Sequence, residues 1–135
     1  MYPLIIIIIK LFFAAEIFTN KFLLPKKYNL SFFKFLFFKI YKIKYVRNIY
    51  FNQVPYILNT GKIEFSENSS FGENTKFYNH SSIKIGQNFL GAPGISFITG
   101  SHDSTSYVNI NKPIKIGDNC WFGYNVTILQ GVEIG

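Results

Sequence analysis

The most constraining feature of this chain is a large apolar residue that returns every sixth position near its end. From Ile114 to Gly135 the sequence reads Ile-Lys-Ile-Gly-Asp-Asn-Cys-Trp-Phe-Gly-Tyr-Asn-Val-Thr-Ile-Leu-Gln-Gly-Val-Glu-Ile-Gly, and Ile116, Phe122, Ile128 and Ile134 keep that step. Gly117, Gly123 and Gly135 each follow one of them, and Cys120, Val126 and Val132 stand four places after the first three. A period of six fits neither a helix nor a strand with one buried face. It fits a solenoid in which short strands separated by turns stack coil on coil. The leading apolar residue points into a shared core, and the smaller residue four places later points in beside it.

The pattern extends backwards. Phe65, Phe71 and Phe77 keep the step, and the frame then slips by two, from Ile83 to Ile85. Ile85, Gly91 and Phe97 carry the new frame, with Ile95 in the secondary inward position. Such a slip predicts a corner that holds extra residues. The stretch 101–113 breaks the hexads and is expected to project as a loop, with Pro113 marking its return, because proline cannot donate to a ladder.

The run Ile-Gly-Asp-Asn-Cys-Trp-Phe-Gly-Tyr-Asn-Val-Thr-Ile-Leu-Gln-Gly-Val-Glu-Ile-Gly resembles the hexapeptide-repeat acyltransferases, strongly over 83–135 and more weakly over 62–82. The resemblance implies an all-β fold, a left-handed parallel β-helix preceded by a basic, aromatic helical segment, assembled as a homotrimer that uses acetyl-CoA. The left hand is implied by the resemblance alone, since parallel crossovers in general prefer the right hand. Within that family the chain resembles galactoside and maltose O-acetyltransferases and sugar O-acetyltransferases encoded with surface-polysaccharide genes. The implied function is transfer of acetyl from acetyl-CoA to a sugar hydroxyl in glycan biosynthesis. The alternative is a non-catalytic β-helical scaffold or membrane-surface protein, a truncated pseudoenzyme.

The resemblance makes His102 the catalytic residue. It stands 17 positions after Ile85, in Thr-Gly-Ser-His-Asp. A sugar hydroxyl is a weak nucleophile until a base removes its proton, and a neutral imidazole, with an ordinary pKa of about 6.5, is available for that work near neutral pH. Asp103 is adjacent, but neighbours in an extended segment point apart, so it is not assigned as the orienting carboxylate. The resemblance places Trp121, Gly123 and Tyr124 on the cofactor side. The Tyr124 backbone N–H matches a donor to the thioester oxyanion, although the family commonly has a small side chain there. Trp121 reads equally as a wall of the active site or as a trimer-interface residue. Asn74 and Asn79 both match an acceptor-binding position, His80 reads as a corner residue, and Asn125 reads as a turn residue.

Composition sets outer limits. The chain has 135 residues and a net charge of +7, enough for one modest domain with an appendage. A single cysteine excludes an internal disulfide, and Cys120 at an inward position is expected to be buried. No metal is expected: γ-class carbonic anhydrases share the β-helix but need three histidines, and this chain has His80 and His102 only. Serine acetyltransferases carry a much larger helical domain in front. No nucleophile elbow, phosphate loop or spaced carboxylate pair is present.

Residues 1–60 read as an apolar and basic helical segment, and 61–135 as the β-helix. Leu4–Ile9 is solidly apolar, but Lys10 and Glu16 interrupt what a clean span of about 20 apolar residues would need. Leu30–Tyr50 mixes aromatics with Lys34, Lys39, Lys42, Lys44 and Arg47 and has no acid. That composition suits a helix lying on an anionic membrane or one that caps the first coil. The basic residues accompany apolar bulk rather than a polar face, so no nucleic-acid partner is expected. The expected location is the cytoplasm, at the inner face of the membrane. The chain stops as a hexad begins, which reads as a C-terminal truncation.

Overall fold

A computed structural model describes residues 3–22, 32–58 and 61–135. The chain divides into two units, Met1–Lys42 and Ile43–Gly135.

The second unit is a parallel β-solenoid with three faces. Strands β1 (Lys44–Tyr45), β2 (Ile49–Phe51) and β3 (Tyr56–Ile57) make the first coil, and β4 (Ile63–Phe65), β5 (Ser69–Phe71) and β6 (Lys76–Tyr78) the second. The third holds β7 (Ile83–Ile85), β8 (Leu90–Gly91) and β9 (Ser96–Ile98). A hairpin follows, β10 (Gly100–His102) with β11 (Asn109–Asn111). The fourth coil has β12 (Ile114–Ile116), β13 (Trp121–Phe122) and β14 (Thr127–Ile128), and β15 (Glu133–Ile134) lies beyond it. The first face stacks β1-β4-β7-β12-β15, the second β2-β5-β8-β13 and the third β3-β6-β9-β14. Lys44 pairs with Glu64 and Glu64 with Lys84, so the first two coils are equal in length. Two inward steps of six and one of eight make up each such coil, and the extra pair sits at the corner between the third and first faces. The frame slip in the sequence is that corner. From Lys115 to its partner Glu133 the coil is three plain hexads, with no extras.

Each three-residue strand on the first face buries both ends and turns its middle outward, exposed at Lys84 and Lys115 and half-buried at Glu64, as period-two alternation demands. The buried residues form columns from coil to coil. Phe77 stacks on Phe97 with centroids 5.0 Å apart, and Phe51 on Phe71 at 4.8 Å. On the second face large and small residues trade places. Ser69 sits beside Phe71, whereas Phe89 sits beside Gly91, and a Cβ at Gly91 would come within 3.0 Å of the Phe89 ring. Phe89 thus fills the space its neighbour lacks and touches both Phe71 and Phe122 at 5.1 Å. In these two coils the exchange leaves no gap beside the small residue, as close packing requires.

Corners are held by asparagine. Asn48, Asn68, Asn88 and Asn119 have φ between 55° and 59°, the left-handed region that asparagine tolerates better than most residues. Their amides form a ladder: Asn48 Nδ2 donates to Asn68 Oδ1 at 2.8 Å, Asn68 to Asn88 at 3.3 Å and Asn88 to Asn119 at 2.9 Å. At the next corner Asn74 and Asn125 have φ of 57° and 56° and Gly94 has φ of 84°, which establishes Asn125 as a turn residue.

Several expectations are corrected. The solenoid begins at Ile43 rather than at 61, because its first coil is built from Ile49, Phe51 and Ile57, which are buried but lack the glycines that mark later coils. The boundary residues Asn59 and Thr60 lie outside the described residues. Leu30–Tyr50 is not one helix: the described helix is Phe32–Ile40, and β1 and β2 follow. The loop at 101–113 is a two-stranded antiparallel hairpin. Cys120, also expected to be buried, is partly exposed, because the strand that follows it, β13, is the edge of its face among the described residues.

The first unit contains α1 (Pro3–Phe22) and α2 (Phe32–Ile40). The stretch 23–31 of the expected helical segment lies outside the described residues.

Candidate active site

The hairpin leaves the solenoid at the corner between the third and first faces, and one residue secures its base. Thr99 is fully buried. Its N–H and its hydroxyl both donate to the Tyr78 carbonyl at 3.1 Å. Its hydroxyl accepts from Ser81 N–H at 2.8 Å, and its carbonyl accepts from Lys112 N–H at 3.0 Å. One threonine therefore ties the outgoing strand, the returning strand and the coil below. Directly beyond it, Gly100 lies against His80: a Cβ there would sit 2.6 Å from His80 Cδ2. His80 is an exposed corner residue, and its ring also fixes how close the hairpin passes.

His102 is the last residue of β10, paired with Asn109, and it is exposed. The imidazole is held on a hydrogen-bonded ladder rather than on a free loop. Asp103 turns away to serve the hairpin tip. Its Oδ1 accepts from Thr105 N–H at 2.9 Å and from Ser106 N–H and Oγ at 2.7 and 2.9 Å. The Ser106 backbone and hydroxyl, then the Thr105 amide, hold its carboxyl below its ordinary pKa by favouring the charged form. Asp103 is therefore a clamp on the tip and does not orient His102. The tip closes through Asp103 N–H to Val108 O and Tyr107 N–H to Asp103 O, both 2.9 Å.

Trp121 points outward from the second face, paired with Leu90, and is 70% exposed. Phe122 beside it is buried, so the tryptophan's exposure follows from strand alternation. Gly123 and Tyr124 occupy the turn after β13, between the second and third faces. Tyr124 is exposed, and the next residue, Asn125, donates its N–H to Pro93 O at 3.0 Å. His102 and the Trp121–Gly123–Tyr124 group therefore stand at different corners of the coil, and one chain does not bring them together. Of the two acceptor candidates, Asn79 is fully buried and donates to Gly61 O at 2.7 Å. Asn74 is an exposed corner whose N–H donates to the Gln53 side chain at 3.0 Å.

A surface hollow of about 310 Å³ on the first face is lined by Lys44, Tyr45, Val46, Glu64, Phe65, Ser66 and Lys84 and contains none of these site residues. Among the described residues, no three His, Cys, Asp or Glu side chains gather as metal ligands. Thr99 and Gly100 are the site residues that sequence reasoning missed. The available signal was a small polar residue at an inward position just before the hexads break.

Coil, corner ladder and hairpin make a parallel β-solenoid with one projecting hairpin, the architecture that the resemblance to hexapeptide-repeat acyltransferases implies. Its sequence is similar to "Putative colanic acid biosynthesis acetyltransferase WcaF" of Escherichia coli, with 28% identity over 99 residues, covering 72% of this chain and 54% of that protein. It is also similar to a "Putative acetyltransferase" of Dictyostelium discoideum, 32% identical over 88 residues, covering 57% of this chain and 46% of that protein. A third, from Schizosaccharomyces pombe and named in the same words, is 31% identical over 78 residues, covering 54% of this chain and 38% of its own length. The chain thus spans about half the length of the curated relatives it matches. No protein-family model matches it, and no solved structure does.

Proposed function

We propose that this protein is an O-acetyltransferase that moves acetyl from acetyl-CoA to a sugar hydroxyl in surface-polysaccharide synthesis. The observation that carries the reading is the placement of His102. It is exposed at the stem of a braced hairpin, on a fold whose relatives are named as acetyltransferases. His102 takes the proton from the acceptor hydroxyl as that oxygen attacks the thioester carbonyl. The tetrahedral oxyanion is met by the Tyr124 N–H. The C–S bond then breaks, and the CoA thiolate leaves with the proton that His102 carried.

His102 and the Trp121–Gly123–Tyr124 group stand at different corners, which favours a homotrimer in which one chain offers His102 and its neighbour the CoA-side turn. The relative named for colanic acid biosynthesis supports a polysaccharide acceptor, and synthesis of such a polymer from CoA thioesters favours the cytoplasm, at the inner face of the membrane.

The test is release of CoA thiol by the natural protein from acetyl-CoA with a panel of sugar acceptors. Acceptor-dependent release is expected, and it is expected to vanish in His102→Ala while the melting temperature is kept. Undiminished release by that variant overturns the assignment.

A further inference from the structure

The N-terminal unit buries Ile9, Phe13, Phe37 and Phe38 but, unlike the solenoid, leaves a large apolar surface open. Helix α1 is about 30 Å long at ~1.5 Å per residue, and its exposed stripe is Leu4, Ile7, Leu11 and Phe18, each more than half exposed. Its two mid-helix charges point the other way. Glu16 is buried, and its carboxylate accepts the N–H groups of Phe33 at 2.7 Å and Lys34 at 2.9 Å. It therefore caps the start of α2 from a different helix, satisfying two unpaired helix-start donors with the favourable sign of charge. Lys10 Nζ lies 5.6 Å from the centre of the Tyr41 ring, a cation–π distance. Phe12 stacks on Phe33 at 4.6 Å and Phe13 packs against Phe37 at 5.1 Å. The contacts run 16 to 33, 13 to 37 and 10 to 41, so the helices are antiparallel and α2 neutralises what α1 could not expose to hydrocarbon.

Charge is partitioned as sharply. Residues 1–42 contain seven lysines and one acid, Glu16, a net +6 of the chain's +7. Residues 43–135 are nearly neutral, with seven basic and six acidic residues. Lys21 stands in the last turn of α1, and Lys39 and Lys42 stand at the end of α2, which lies level with Lys10 in the middle of α1; Lys21, Lys39 and Lys42 are exposed. An apolar stripe with lysines beyond one end and beside its middle matches a lipid interface, with hydrocarbon beneath and anionic headgroups around. A helix that crosses a bilayer alone would instead carry Lys10 and Glu16 through its centre, although α1 is long and apolar enough to do so by length and composition.

We propose that helices α1 and α2 form an in-plane membrane anchor. In this anchor α1 and α2 lie along an anionic lipid surface, with the Leu4–Phe18 stripe in the acyl layer and the Glu16 cap holding the two helices together. The anchor gives a physical basis to the location proposed above. It is independent of acetyl transfer, so its failure leaves the reading of His102 untouched.

The test is flotation of the full chain with phosphatidylglycerol vesicles and with phosphatidylcholine vesicles. The chain is expected to float with the anionic vesicles and more weakly with the neutral ones. Ile7→Glu with Leu11→Glu is expected to cut binding by roughly tenfold or more. Lys39→Gln and Lys42→Gln are each expected to cut binding to anionic vesicles about fivefold. Orientation is read in a Cys120→Ser background with cysteines at Pro3→Cys or Lys21→Cys, using an impermeant maleimide on sealed vesicles. An in-plane anchor leaves both ends reactive from outside. Protection of one end until the vesicles are lysed would show a span and overturn the proposal. So would undiminished flotation of the glutamate double variant, or a wild type that self-associates through the stripe and ignores vesicles.

Discussion

The two units use similar residues in opposite ways. In the solenoid, phenylalanine and isoleucine face inward in columns, and lysine and glutamate stand outside in weak ladders, such as Lys44–Glu64 at 3.9 Å and Lys115–Glu133 at 2.6 Å. In the helical unit, Leu4, Leu11, Phe18, Phe32 and Phe35 face outward, while Phe13, Phe37 and Phe38 are buried together with its one acid, Glu16. The difference teaches where each unit finds its stability. The solenoid closes its own core, and exposed ion pairs add little to it. The helical unit leaves its apolar surface open and uses its buried polar contact to hold two helices in register.

That contrast can be broken most forcefully in the solenoid core. Phe71→Ala removes a fully buried ring that touches Phe51, Phe65, Phe77 and Phe89. It is expected to cost about 3–5 kcal/mol, read in denaturant unfolding of the β signal. A loss below about 1 kcal/mol would mean the coils are not packed as described.

Glu16→Ala addresses the other side. Loss of two charge-assisted bonds to the α2 amides is expected to cost about 1.5–3 kcal/mol. The loss should appear as lower helical content, read by far-UV circular dichroism. Unchanged helical content would contradict the cap.

The corner ladder carries a smaller effect. Asn88 has φ of 56°, so Asn88→Ala puts there a residue that avoids positive φ and also removes two ladder bonds, at an expected cost of about 1–2 kcal/mol. Asn88→Gly relieves the backbone term and is expected to be milder. Equal losses would assign the stability to the amide ladder rather than to the backbone.

The mildest effect belongs to the hairpin tip. The Asp103 carboxyl has its pKa held below its ordinary value by its bonds to Ser106 and Thr105. Its contribution is therefore complete above the ordinary carboxylate range and is lost as pH falls through the lower, folded value. Amide exchange at Thr105 and Ser106 is expected to stay protected at neutral pH and to speed up only in that acid window. Loosening at neutral pH would contradict the clamp.

Much of the fold is legible in the sequence, for a physical reason. Coils built from whole hexads, with or without one extra pair, force the same residue types back to the same columns, so Phe65, Phe71, Phe77 and Ile85 mark the faces and the corner slip. The first coil is not legible, because Ile49, Phe51 and Ile57 sit in a stretch whose lysines and aromatics read equally as a helix. Cys120 misleads because an inward position predicts burial only when another strand covers it. His102 is visible through its spacing and neighbours. Its supports, Thr99 and Gly100, are not, because their roles arise from Tyr78, His80 and Ser81, a full coil earlier in the chain. The Glu16 cap is hidden likewise: an acid in an apolar helix reads as a flaw until its partner helix is seen.

The central claim is that His102 does the chemistry while Asp103 beside it only shapes the hairpin. The most direct measurement is the acetyl-transfer rate of His102→Ala and Asp103→Ala in the natural protein, taken side by side at neutral pH. The account predicts a fall of about a hundredfold to ten-thousandfold for His102→Ala and a far smaller change for Asp103→Ala. Equal losses, or a His102→Ala protein that turns over at the wild-type rate, would contradict it.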